Sequence, residues 1–348
     1  MLRILLVASS TLVMGAVVWL GRAGGSPAPR TPSVAGARAT QSPATAEVAR
    51  SDAGPVENSK GPASATTISP EVLARAFDVT VDVERMRKPG PSDWLSNHEE
   101  PGQTYEEWRV CRRNTPNERR SVIRLVPMGD LGTGDFPPIE VLSSYAEAFF
   151  GMPARPVGSS EPVPAFKTRT NGQSGKPQIL TTDVLDWLDQ VLPGDAFCAV
   201  ALTTTDLYPE PSWNFVFGQA SFFERTGVFS FARYDPRFYG EKRDDGTPTL
   251  VLRRSLKVMT HEIGHMFGIE HCVRFRCLMN GSNHLGETDA APLDVCPVCL
   301  RKLQHAVGFD PLARERALKA WRRAHGLVSE ADRSAARIAR WMAPAVSR

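Results

Sequence analysis

Residues 261–271, His-Glu-Ile-Gly-His-Met-Phe-Gly-Ile-Glu-His, hold the densest chemistry in the chain. On a helix, positions i and i+4 share a face one turn apart, so His261 and His265 can aim ring nitrogens at one cation. Gly268 follows three residues later, where a helix can end in the left-handed conformation that glycine reaches cheaply. The chain can then turn back and bring His271 to the same ion. Three neutral imidazoles suit zinc and leave a fourth position for water, the catalytic rather than the structural pattern. Glu262 projects about 100° around the helix from His261, so its carboxylate can lie beside the ion without binding it. There it acts as a general base toward a zinc-bound water whose pKa the metal lowers to about 7, and later gives the proton to the departing amine. A helix of exposed histidines that bind nothing is the bland alternative, and the added Gly268 and His271 weigh against it.

Four of the six cysteines lie close behind. Cys272 follows the third histidine directly, Cys277 comes next, and Cys296-Pro297-Val298-Cys299 supplies a CxxC knuckle. Two thiolate pairs can close a tetrahedral, all-cysteine zinc site with no vacancy, which is structural. Two disulfides or a redox-active CxxC are the competing readings. Cys111 and Cys198 are left over, either as a disulfide or, better, as unpaired thiols, Cys198 in an apolar strand.

These residues need a frame. A long helix is expected over 250–267 to carry the histidines. Strands are expected over 121–128, 196–204, 214–223 and 227–234, and helices over 138–150, 181–192 (with Thr181 or Thr182 as N-cap) and 311–325. This alternation makes an α/β sandwich with a small cysteine-rich C-terminal subdomain.

The 348 residues are 42% hydrophobic and 23% charged, enough for one substantial domain plus extras and unlike collagen, coiled coil or a wholly disordered chain. Residues 4–20 are uncharged and apolar after Arg3. They read as a signal peptide or an N-terminal membrane anchor (1–23), which points to an exported or membrane-anchored, extracytoplasmic protein. Residues 24–70 are rich in Ala, Pro, Ser and Gly and lack aromatics, so they are read as a disordered linker. The domain is placed at 71–326. Residues 327–348 are read as a basic C-terminal tail: from 301 onward 11 Lys/Arg stand against 4 Asp/Glu. A solvated helical face is the plainer reading of those charges, and no nucleic-acid partner is expected because aromatic residues scarcely interleave with them.

HEIGHMFGIEHC, with Cys277-Leu278-Met279 and the later CPVCLRKL, resembles the combined catalytic and cysteine motif of the archaemetzincins, metzincin-type zinc peptidases, and is most similar to those of animals. Asp93-Trp94-Leu95, Glu100-Pro101-Gly102-Gln103-Thr104, Asp206-Leu207-Tyr208-Pro209 and 214–220 look like family segments too. The resemblance implies a metzincin-like zincin fold with a mixed, mostly parallel sheet and one antiparallel edge strand at the cleft, either 214–223 or the next. It implies His261, His265 and His271 as catalytic zinc ligands, Glu262 as base, Cys272, Cys277, Cys296 and Cys299 as ligands of a second, structural zinc, and Met279 as the methionine beneath the metal. A family core of this kind also suggests the cytoplasm as the alternative location. His284 is a candidate donor to the tetrahedral intermediate, or simply a solvated histidine; no tyrosine follows Met279 closely to fill that role. The expected activity is hydrolysis of peptide or protein substrates, with aminopeptidase and endopeptidase both open. The alternative is a catalytically silent peptide-binding or scaffolding module of the same fold.

Overall fold

The run Ala196–Thr203 is buried at every position, as a strand covered on both faces must be, and it lies near the middle of a nine-stranded sheet. The computed structural model describes residues 15–20 and 68–344, apart from 82, 112–113, 130, 132–134 and 158–162. The strands are β1 (Gly15–Leu20), β2 (Val122–Pro127), β3 (Ala154–Pro156), β4 (Thr168–Thr170), β5 (Pro177–Leu180), β6 (Ala196–Thr203), β7 (Asp206–Tyr208), β8 (Phe215–Ser221) and β9 (Thr226–Ser230). The helices are α1 (Pro70–Ala76), α2 (Trp94–Asn97), α3 (Tyr105–Val110), α4 (Ile139–Phe150), α5 (Thr181–Val191), α6 (Thr247–Met266), α7 (Leu285–Ala290), α8 (Pro297–Val307), α9 (Pro311–Ala324) and α10 (Val328–Met342).

The sheet order is β3-β2-β6-β9-β8-β7-β5-β4, with β1 parallel beside β8. Pairing is parallel from β3 to β9 and between β5 and β7; β8 is antiparallel to both β9 and β7, and β4 is antiparallel to β5. The expected mixed, mostly parallel sheet is therefore present. The expected antiparallel edge strand is not free, however: β9 lies between β6 and β8, and β8 is itself paired with β9, β7 and β1.

Period-2 alternation divides the core. Cys198, Val200 and Leu202 of β6 join Phe217 and Phe229 under α4 and α6, while Ala199 and Ala201 join Val216 and Val228 under Val184, Leu185 and Leu188 of α5. Helices on both faces of the sheet make the α/β class.

Several expectations are corrected. Thr181 does not cap α5 with its side chain: its hydroxyl turns across the sheet to Tyr208 O and to Gln219. The residues from 327 do not form a free basic tail, because α10 packs on α9 and α1 and buries Trp341. Its Arg337 reaches inward to Glu315 (2.7 Å) and Asp294 (3.3 Å), and Arg322 of α9, fully buried, pairs with the same Asp294 at 2.6 Å. Arg322 and Arg337 thus turn inward, whereas Arg316, Lys319, Arg323 and Arg333 remain exposed. Cys111 is exposed and Cys198 buried, both unpaired, so the disulfide alternative falls away for them. Of the apolar segment 1–23 only Gly15–Leu20 is described, as strand, and the linker 24–70 lies almost wholly outside the described residues. No helix among the described residues is long and apolar enough to cross a membrane.

Candidate active site and a second, sulfur cluster

α6 carries His261 and His265 on one face, and it ends at Phe267 where the expected glycine turn occurs: Gly268 has φ +77° and donates to His265 O at 2.8 Å. The chain folds back so that the ligand atoms of His261, His265 and His271 all lie within 4.8 Å of one another. Each ring is held from behind. His261 Nδ1 donates to Leu278 O at 2.9 Å, His265 Nδ1 to Ile269 O at 2.7 Å, and His271 Nδ1 to the Glu100 carboxylate at 2.8 Å. Carbonyl and carboxylate oxygens only accept, so the protons sit on Nδ1 and the Nε2 lone pairs face a common point. His261 Nε2 and His265 Nε2 stand 2.9 Å apart, and His271 Nε2 is buried with no partner. Lone pairs so placed repel unless a cation lies among them, so this donor set fits zinc. Burial, and then the nearby His271, pushes the His261 pKa down to about 3, and burial likewise holds His265 well below the usual range. These imidazoles are therefore neutral, as ligands must be.

Glu262 is fully buried, and neither carboxylate oxygen has a partner. It lies against Gly218 of β8, where a Cβ would come within 2.6 Å of Oε1, so this strand can pass the carboxylate only with glycine there. Burial raises its pKa well above the usual carboxylate value. Tyr234 occupies the same buried space: its hydroxyl lacks a partner, and burial followed by the Glu262 charge suppresses its ionisation. Met279 packs against α6, its Sδ 2.5 Å from where a Cβ on Gly264 would be, and the neighbouring Leu278 carbonyl fixes His261.

Beside His271 opens a cavity of about 370 Å³. The imidazole of His98 stacks on Trp94 (3.8 Å between centroids) and on Trp213 (5.6 Å), and Trp94 meets His271 edge-on at 5.1 Å. Glu100, Trp94, His98, Trp213 and Tyr234 were not assigned roles from sequence. Only the family segments around Trp94 and Glu100 drew attention to the first two.

The Sγ atoms of Cys272, Cys277, Cys296 and Cys299 form a second group within 4.8 Å of one another, with Cys272 and Cys296 at 3.8 Å. None is disulfide-bonded. Thiolates at about 2.3 Å from a tetrahedral zinc lie about 3.8 Å apart, far beyond the roughly 2.05 Å of a disulfide. Cys277 Sγ accepts from Cys296 N (3.1 Å) and Met279 N (3.5 Å). Hydrogen bonds from the other three thiols favour ionisation of Cys272, while burial and its neighbours oppose that of Cys277. Four sulfurs this close ionise together only around a cation, so this donor set fits zinc as well.

A third group, Asp93, His284 and Glu287, is already satisfied internally. His284 Nδ1 accepts from Glu287 N (3.2 Å) as the N-cap of α7, its Nε2 donates to Asp93, and the Glu287 carboxylate accepts from Trp94 N and Asn283 N. His284 is thus a capping residue, and its expected role in the cleft is withdrawn.

Residues 183–305, which span α5 to most of α8, match the model of Peptidase family M54. With His261 and His265 on α6 and His271 just beyond it, that match defines a zinc metallopeptidase. The chain is 42% identical to archaemetzincin-2 of Mus musculus over 262 residues, covering 66% of this chain and 72% of that protein. It is 31% identical to archaemetzincin-1 of Homo sapiens, covering 67% and 52%. It therefore belongs to the archaemetzincin family. Among solved structures, the archaemetzincin from Methanopyrus kandleri aligns with 29% identity and a TM-score of 0.44, covering 55% of this chain and 97% of that one.

Proposed function

We propose that this zinc metallopeptidase hydrolyses peptide bonds with Glu262 as general base, that His261, His265 and His271 hold the catalytic zinc, and that Cys272, Cys277, Cys296 and Cys299 hold a second, structural zinc. The peptidase unit would run from α1 through α10. The observation that carries the reading is the buried, partnerless Glu262 carboxylate one residue from the first of three converging Nε2 atoms. Zinc, when bound, polarises a carbonyl and acidifies a water.

Everything else falls to the chain. Glu262, desolvated between α6 and β8, has no competing hydrogen bond, so its oxygens are available to take a proton and return it to the leaving nitrogen. Nδ1–H donation by each histidine fixes the tautomer that presents Nε2, and Glu100 adds negative charge behind His271, which strengthens that ring as a ligand. β8 runs past Glu262 at Gly218, so this strand borders the place where a substrate's scissile bond would lie.

The test compares zinc-loaded wild type with Glu262→Gln on a broad peptide library. A drop of about 10²–10⁴-fold in the variant is expected, with two zincs per chain in both proteins. Equal activity would end the mechanism. No hydrolysis by either protein would favour a silent binding module.

A further inference from the structure

A second cavity lies away from the cleft. It measures about 540 Å³ and is walled by α10, the N-terminal half of α6 and the segment leading into the cysteine knuckle. Seven of its lining side chains are Lys or Arg and four are carboxylates, so it carries an excess of positive charge. The carboxylates are already shared. Glu330 accepts from Arg253 at 2.8 Å and also faces Arg333 at 3.5 Å, while Asp294 serves both Arg322 and Arg337.

Lys257 has no carboxylate of its own. It is only 4% exposed, and its ammonium donates to the carbonyls of Thr288 and Asp289, each at 2.9 Å, while the Asp289 carboxylate is taken by Arg254. Among the described residues it makes no ion pair. Burial pushes its pKa down to about 8, as befits a charge that lacks a counter-ion. An ammonium has three N–H groups, and two carbonyls leave one over.

We propose that this cavity binds a small, multiply charged phosphate-type anion, held by Lys257 together with Arg333 and Arg340. Guanidinium forks match phosphate oxygens in pairs, and a buried ammonium adds a point charge. Lys257 lies one turn before His261 on α6, and Cys296 contributes to the cavity wall, so an anion here braces the frame that both ligand clusters share. The site does not depend on the proposed chemistry.

The test is calorimetric titration of the zinc-loaded full chain with inorganic phosphate at constant ionic strength, chloride serving as control. Binding is expected in wild type, about tenfold or more weaker in Arg333→Glu/Arg340→Glu, and unchanged in His261→Ala. Unchanged affinity in the double variant overturns the site. Loss in His261→Ala overturns it too, since the anion would then sit at the catalytic zinc. If the double variant does not fold, Lys257→Met with the same readout replaces it. Retention on phosphatidylserine vesicles without any heat from free phosphate would show a membrane surface instead, and would also overturn the proposal.

Discussion

The histidine and cysteine clusters are joined by a single peptide bond, His271 to Cys272, yet they differ in what they leave unsatisfied. At the histidines, Glu262 Oε1, Glu262 Oε2 and His271 Nε2 are buried with no partner, and a cavity opens against His271. At the cysteines, backbone N–H groups already point at Cys277 Sγ, and Asn280 ties the loop by accepting from Cys277 N (2.8 Å) and donating to Phe275 O (2.9 Å). Orphaned polar atoms cost stability. A protein retains them where a ligand, a metal or a reacting group supplies the missing partner. Donors of similar spacing thus differ in what surrounds them, unsatisfied polar atoms beside a cavity in one place and backbone N–H groups that already close the loop in the other.

That contrast can be broken most sharply by removing ligands from each side. Cys296→Ser/Cys299→Ser should abolish cooperative folding of the C-terminal region, because the proposed structural zinc would contribute on the order of 10 kcal/mol; loss of hydrogen-exchange protection in α8 would show it. His261→Ala should instead keep a cooperative thermal transition while hydrolysis falls by about 10³-fold or more. If the two phenotypes were interchanged, the division of labour would be wrong.

A smaller effect is expected at Asp294. Burial opposes its ionisation, but Arg322 and Arg337 outweigh that and hold its pKa below the usual carboxylate range. A depressed native pKa contributes stability that is fully present above the unfolded value of about 3.9 and is lost as pH falls through the native one. Asp294→Asn should therefore cost about 3–5 kcal/mol in urea denaturation at pH 7, and the gap from wild type should narrow below about pH 4. A constant gap would mean the ion pairs are not its source.

Glu100→Gln sharpens the comparison further. It should weaken zinc at the histidines by about 10–100-fold in chelator competition while leaving zinc at the cysteines untouched. The smallest change is Gly268→Ala, which forces a side chain into the left-handed region at about 1–2 kcal/mol. It should lower the melting temperature slightly and be felt by His271 rather than by the sulfur cluster.

What the sequence disclosed follows from distance along the chain. His261, Glu262, His265, Gly268 and His271 obey rules internal to one helix and its cap, and residues 196–203 announce a buried strand by composition. Glu100 and Tyr234 have no such signature: they come from segments that meet α6 only after the chain has folded. The basic C-terminus misled for the same reason. Arg322 and Arg337 find their carboxylates at Asp294 and Glu315 on other elements or other turns, and long-range ion pairs leave no periodicity to read. Thr181 looked like a cap because caps are local, whereas its partners lie across the sheet.

The adjacency of His271 and Cys272 also bears on how the triad is held. Cys272 is drawn into its cluster by Cys296, 24 residues further on, and the position of the third histidine is fixed in that closure. The loop that carries the third histidine is thereby anchored from two sides, by Glu100 on the ring and by the sulfur cluster one residue on, so a change at the distant knuckle is transmitted to the triad through a single peptide bond.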